Sequence, residues 1–269
     1  MAKEVGYNSK NGFDYTNFEL TLAMNKQSEE LQHNARRNHV GDSRVVWGYA
    51  CNETPECLPL PVVVAERIAE GLDNAQDKIP YLRPDGKVQV TRADKLYITV
   101  AAQHEPGVKQ ARLLCDILEY VVGPIVGTHD VEVIVNSSGS FVEGGHTADK
   151  GTSNVKLCAY GEAMPHGGGG PWGKDATKPE VFGFLAARRL ARDTIERGVD
   201  ACSVQLAYSI GVPRPLVVRE PAVDFVPDDL LPDRIIEEFR LRDPNTLYQM
   251  AAGKLIGNPN IPWERKRQS

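Results

Sequence analysis

The clearest alternation of apolar and polar positions runs from residue 58 to residue 136. LPLPVVVAERIAEGL (58–72) starts on prolines and repeats its apolar positions at helical spacing, so it predicts an amphipathic helix. LRPDGKVQV (82–90) predicts a turn running into a strand, and LYITVAAQ (96–103) a second strand. KQARLLCDILEYVV (109–122) predicts another amphipathic helix, and VEVIVN (131–136) a third strand. The order α-β-β-α-β implies an α+β layer with helices on one face of a sheet. Further on, PEVFGFLAARRLARDTIERG (179–198) predicts the strongest helix in the chain, with Gly198 as its stop. ACSVQLAYSIG (201–211) predicts a strand, and DDLLPDRIIEEFRL (228–241) a helix whose start is shifted by Pro232. The tail GNPNIPWERKRQS reads as irregular. Ahead of these elements, FELTLAM (18–24) predicts a short strand. KQSEELQHNARRNHVGDSR (26–44) is poor in apolar residues and predicts a mobile loop, of a length that often serves function and equally suits a plain connector.

Composition narrows the classes. A net charge of −5 argues against a general nucleic-acid binder. The five cysteines are widely spaced without a CxxC pair, which argues against a disulfide framework or a zinc ribbon and fits a reducing compartment. No stretch reaches the roughly 18 apolar residues of a membrane span, and MAKEVGYNSKNGF lacks the apolar core of a signal peptide. A cytoplasmic protein without membrane contact is the expectation.

The centre carries the chemistry. In HGGGGPWGKD (166–175), Gly168, Gly173 and Lys174 have the spacing of a phosphate-binding P-loop, but the next residue is Asp175 where that motif needs Ser or Thr. Lys174 and Lys178 are four apart, so a helix over 175–198 would set them on one face near its N-terminus, a good place for a polyphosphate. The plainer reading is two solvated lysines after glycines that only turn the chain. Asp149 and Glu180 suit a cation or a substrate amine, or act as simple caps. His166 has no second clustered His or Cys, so no transition-metal site is expected.

Taken together, GYNSKNGF, NKQSEEL, GDSRVVWGYACNETPECLPLP, YLRPDGKVQVT, AAQH, GSFVEGG, AYGEAMPHGGGGPWGKDATK, VQLAYSIGVPRPL and AAGKLIGNPNIPWE resemble methionine adenosyltransferase, the S-adenosylmethionine synthetase family. The resemblance implies a fold of similar sheet-plus-helices domains, associated through sheet faces, with active sites between subunits. It implies attack of methionine sulfur on the 5′ carbon of ATP, aided by Mg²⁺ and K⁺, with triphosphate released and then hydrolysed. Matched residue by residue, it implies catalytic roles for Lys174, Lys178, Lys87 and Lys156. It implies contacts to ATP or methionine from Gln27, Asp42, Asp149, Phe141 and Gly170, and a potassium ligand in Glu180.

The departures shape the rest of the expectation. The first match falls well inside a typical family member, so the segment with the GHPDK motif, which serves triphosphate and magnesium, is expected to be missing. The arginine of the family's Arg-Lys pair is Val155, the arginine of its GRF motif is Ser140, its potassium aspartate is Glu180, and its GDQG loop is GDSR. One domain is therefore expected to be incomplete. Residues 1–45 and 140–180 would be its remnant with the substrate loop and glycine-rich site, 46–139 an α+β domain, and 181–269 a C-terminal α+β domain. A homodimer should be close to inactive. The expected arrangement is a hetero-oligomer in which a longer synthetase subunit brings the magnesium ligand and the arginines. One alternative is a catalytically inactive structural or regulatory subunit that binds such a synthetase; another, resting on the match around the glycine loop alone, is a self-sufficient enzyme of altered architecture.

Overall fold

A computed structural model describes residues 3–4, 6–8, 13–26, 28–30, 40–148, 160, 170–219, 227–252 and 255–265. The chain divides into two compact units, Met1–Ala23 with Leu60–Gly151, and Met24–Pro59 with Thr152–Ser269.

The first unit realises the α-β-β-α-β pattern. Helix α1 (Leu60–Asn74) leads to strands β2 (Leu82–Arg92) and β3 (Leu96–His104), helix α2 (Gln110–Ile117) and strand β4 (Val131–Val135). The expected helix over 109–122 continues past α2 as a π-helical turn, Leu118–Val122, and ends in a short turn, Gly123–Val126. The sheet order is β2-β3-β4, with β2 antiparallel and β4 parallel to β3. A parallel pair needs a crossover, and α2 with its extension supplies it. On β3, Leu96, Ile98, Val100 and Ala102 point inward, while Thr99 on the other face is exposed. They pack with Ile68 of α1 and with Leu113 and Ile117 of α2. Burying each such side chain contributes on the order of 1.5–3 kcal/mol, so this one-sided core holds the layer together.

The second unit is built on β1 (Arg44–Cys51), β5 (Ala201–Tyr208) and β6 (Val217–Arg219), in the order β1-β5-β6 and antiparallel throughout. Helix α3 (Phe182–Ile195) lies on this sheet, and every residue in it except Asp193 is buried. Helices α4 (Pro232–Glu238) and α5 (Pro244–Ala252) follow, and a short 3-10 turn, Pro262–Glu264, sits in the tail. Val46, Gly48 and Ala50 of β1 face inward. A Cβ built on Gly48 would lie 2.0 Å from the backbone carbon of Ala187 in α3, so only glycine lets helix and strand approach this closely. Backbone cannot swing aside as a side chain can. Gly48→Ala is expected to destabilise by at least about 1–3 kcal/mol, read from urea unfolding; an unchanged midpoint would refute this account of the packing.

Several expectations change here. Strand β1 begins within the expected 26–44 loop, and the sequence pattern predicts no strand there. It pairs residue for residue with β5, from Arg44 with Tyr208 to Cys51 with Ala201, so 46–139 is not one unit, and 1–23 groups with 60–151. FELTLAM forms no strand and joins no sheet among the described residues. Phe18, Leu20, Leu22 and Met24 are 52%, 79%, 76% and 80% exposed, because alternation alone makes no strand without a partner to bond. The strongest helix starts at Phe182 rather than 179, and α5 lies in a stretch for which the sequence predicts no element, ahead of the irregular tail. No helix among the described residues is long and apolar enough to cross a membrane.

Candidate active site

In the second unit, a series of turns carries the two lysines. The Pro171 carbonyl accepts from the Lys174 N–H at 3.3 Å. Gly173 takes φ +67°, a conformation side chains disfavour. Asp175 Oδ1 accepts from both the backbone N–H (2.9 Å) and the hydroxyl (2.6 Å) of Thr177. The Lys178 N–H reaches the Asp175 carbonyl at 3.0 Å, and the Val181 N–H the Lys178 carbonyl at 2.8 Å. The expected helix over 175–198 therefore forms only from Phe182. Two causes are local: Pro179 lacks an N–H and disfavours helical backbone at Lys178, and the Asp175 side chain takes the Thr177 N–H.

These turns meet the GDSR segment. The Gly41 N–H donates to the Thr177 carbonyl at 3.1 Å, and a Cβ there would lie 2.8 Å from Thr177 Oγ1. Lys178 Nζ donates to the Gly41 carbonyl at 3.0 Å and to Asp42 Oδ2 at 3.1 Å. Burial pushes the Asp42 carboxyl up, but hydrogen bonds from Lys178 and the Ser43 N–H, with the charges of Lys178 and Arg44, outweigh it and hold the group below its usual range. Ser43 Oγ accepts from the Ile210 N–H at 2.9 Å, which pins this turn beside the end of β5. Arg44, where the resemblance implied a loop glycine, is the first paired residue of β1. Upstream of Lys174, the Tyr160 hydroxyl accepts from the Tyr49 N–H (2.8 Å) and donates to the Tyr49 carbonyl (3.0 Å), tying the entrance of the glycine-rich run to β1. Gly170 is partly exposed.

Lys174 Nζ donates to Glu180 Oε1 at 3.2 Å. The other carboxylate oxygen, Oε2, is buried and has no hydrogen-bond partner among the described residues. A buried carboxylate oxygen without a donor fits a hard cation such as K⁺, for which Glu180 would be one ligand among several. Magnesium is different. Among the described residues, no group of three or more His, Cys, Asp or Glu side chains is placed to hold a metal ion, so these residues make no Mg²⁺ cage by themselves.

The first unit holds the other described candidates. Lys87 is exposed on β2 opposite Ala101 of β3. Ser140 is exposed and Phe141 half-buried in the segment after β4. Three residues given no role from the sequence organise that segment. The His104 N–H donates to the Phe141 carbonyl at 2.9 Å, Gln103 Nε2 to the Val142 carbonyl at 2.9 Å, and the Gly145 N–H to Asp85 Oδ2 at 2.7 Å. The available signal was a polar pair, Gln103 and His104, closing a strand whose inward positions are otherwise apolar. Gln27, Asp149, Lys156, Val155 and positions 161–169 lie outside the described residues.

The family description "S-adenosylmethionine synthetase, central domain" matches residues 37–141, and "S-adenosylmethionine synthetase, C-terminal domain" matches 143–265. Strand β1 thus falls in the first matched stretch while its partner β5 falls in the second. The chain is 34% identical to an S-adenosylmethionine synthase of Thermus thermophilus, over 98% of this chain and 78% of the relative. It is 32% identical to the Desulforudis audaxviator synthase with the same coverage. It is 35% identical to that of Wolinella succinogenes, over 90% of this chain and 68% of the relative.

Proposed function

The chain belongs to the S-adenosylmethionine synthetase family, and on that premise we propose that it is a subunit of a methionine adenosyltransferase. It brings Lys174, Lys178 and Asp42 to a site shared with a fuller subunit. The supporting observation is the turn over 171–181, which holds two lysines beside single carboxylates rather than burying them in a core.

The methionine sulfur attacks C5′ of ATP. The C5′–O bond breaks, its electron pair leaves with the triphosphate, and a sulfonium remains; the triphosphate is then hydrolysed to phosphate and diphosphate. The protein's contribution is alignment of sulfur and carbon, and stabilisation of negative charge on the leaving group. Lys174, at 40% side-chain exposure, can turn from Glu180 to a phosphate oxygen. Lys178 can exchange Asp42 in the same way, which frees that carboxylate for the methionine ammonium. Phe141, Lys87, Gly170, Gln27, Asp149 and Lys156 are each assigned a contact to substrate in this reading, in active sites that the assembly completes. Bound Mg²⁺ and K⁺ would neutralise further triphosphate charge, with Glu180 on the potassium.

A second chain enters because Val155 and Ser140 stand where the family has arginines. One charged donor to a developing anion contributes roughly 3 kcal/mol, so a homomer lacking both would turn over slowly. A partner of the same family, with its arginines and magnesium aspartate, restores those donors. The second reading, an inactive structural or regulatory subunit, draws on the two hydrogen bonds that tie Lys178 to Gly41 and Asp42. The deciding first measurement is the native mass of the tagged chain purified from its own cells. An assembly with a longer synthetase-like subunit is expected. A mass fitting only copies of this chain would refute both readings as stated.

A further inference from the structure

The geometry points to His104 as a positioning residue that sets Phe141 through its imidazole ring. The inference rests on the reading above in which Phe141 faces substrate. His104 is the last residue of β3, only 3% exposed, and pairs with Leu82 of β2. Its backbone N–H donates to the Phe141 carbonyl at 2.9 Å. Its ring Nε2 lies 3.2 Å from the Phe141 backbone nitrogen, and its Nδ1 lies 2.8 Å from the Glu105 carbonyl oxygen.

These partners fix the ring chemistry. A carbonyl oxygen only accepts, so Nδ1 carries the proton. A backbone N–H only donates, so Nε2 is the bare acceptor. His104 therefore sits as the neutral Nδ1–H tautomer, and one residue grips both backbone polar groups of Phe141. The neighbours extend this grip. Gln103 donates to the Val142 carbonyl at 2.9 Å and accepts from the Asp85 N–H at 3.3 Å, while Asp85 accepts from the Gly145 N–H at 2.7 Å. A Cβ on Gly144 would lie 2.7 Å from the Gln103 side chain, so the segment has little room to slide. Asn136 fixes the strand behind it, exchanging hydrogen bonds of 2.8 and 3.0 Å with both backbone groups of Ala102. Phe141 thus sits on a backbone held at both its polar groups and is itself half-buried. An aromatic face held this way can stack on a nucleobase, and ATP is the substrate that carries one.

The ring contact is separable from bulk and from the backbone bond. Glutamine places its amide oxygen where Nε2 sits, while asparagine is one carbon shorter and mimics Nδ1. Phe141→Leu, His104→Leu, His104→Gln and His104→Asn are each made in the native assembly, and ATP binding is measured by calorimetry alongside thermal unfolding. Phe141→Leu is expected to weaken ATP binding, and His104→Leu to weaken it at least about fivefold, since the Phe141 N–H loses its acceptor. His104→Gln is expected to restore most of the affinity and His104→Asn to restore little. Should His104→Leu fail to fold, the Gln and Asn variants carry the comparison. If Phe141→Leu weakens binding but Gln and Asn behave alike, the role of His104 is overturned and the site reading stands. If Phe141→Leu leaves ATP binding unchanged, the site reading itself is overturned, and this inference with it.

Discussion

Arg188→Met is expected to remove about 3–5 kcal/mol of stability, the loss seen when one partner of a buried ion pair is deleted. The Arg188 side chain on α3 is fully buried, and its pair with Glu264 is bidentate, at 2.7 Å from Nε and 2.9 Å from Nη2. The remaining donors reach the carbonyls of Glu56 (2.8 Å), Tyr49 (2.7 Å) and Cys57 (2.9 Å). Burial works against its charge, but the Glu264 carboxylate beside it keeps the guanidinium protonated. Methionine fills much of the volume but leaves three carbonyls and a carboxylate without these donors. Arg192 Nε, 3.6 Å from Glu264 Oε2, softens the loss without replacing the fork. Urea unfolding of the variant checks the magnitude. The double variant Arg188→Met with Glu264→Gln should lose less than the two singles combined, because they share one interaction. A single-variant loss under about 1 kcal/mol would mean that this clamp does not hold the tail to α3.

The elements that read well from the sequence are those with a local cause. Helices α1 and α2 and strands β2, β3 and β4 fall within a few residues of their expected bounds, because period and proline placement act within each segment. Strand β1 was missed because its periodicity is interrupted by Gly48, and that glycine answers to Ala187, 139 positions later. FELTLAM fails in the opposite sense: its alternation is good, yet a strand is defined by its neighbour. The same division holds for the candidate site. Lys174, Lys178 and Asp42 were legible as types in motifs, and the structure brings Lys178 and Asp42 together. Their arrangement was not legible, since a helix was expected to carry both lysines and a turn beginning at Pro171 does so instead. Asp85, Gln103 and His104 were in view within LRPDG and AAQH, but their roles depend on a loop that returns about 40 residues later.

Lys174→Met is expected to lower turnover of the native assembly by about 10²–10³-fold while its mass stays unchanged. The size follows from the task assigned to the lysine, a charged donor to the triphosphate as the C5′–O bond breaks. Stability is measured alongside. Lys174 is 40% exposed, but its 3.2 Å partner Glu180 is only 13% exposed, so the variant also leaves a largely buried carboxylate without its cation. A hundredfold rate loss corresponds to nearly 3 kcal/mol in the barrier, and urea unfolding of the same assemblies tells it apart from a loss of folded protein. Lys178→Met should act in the same direction, and it also releases Asp42 from the ion pair that holds its carboxyl low. Lys174→Arg separates charge from shape: it keeps a cation on the turn and should retain more activity than Met. Under the inactive-subunit reading, none of these changes alters turnover, because the lysines then meet no substrate. Steady-state rates of wild-type and variant assemblies of equal mass therefore decide between a chain that contributes to the chemistry and one that only supports it.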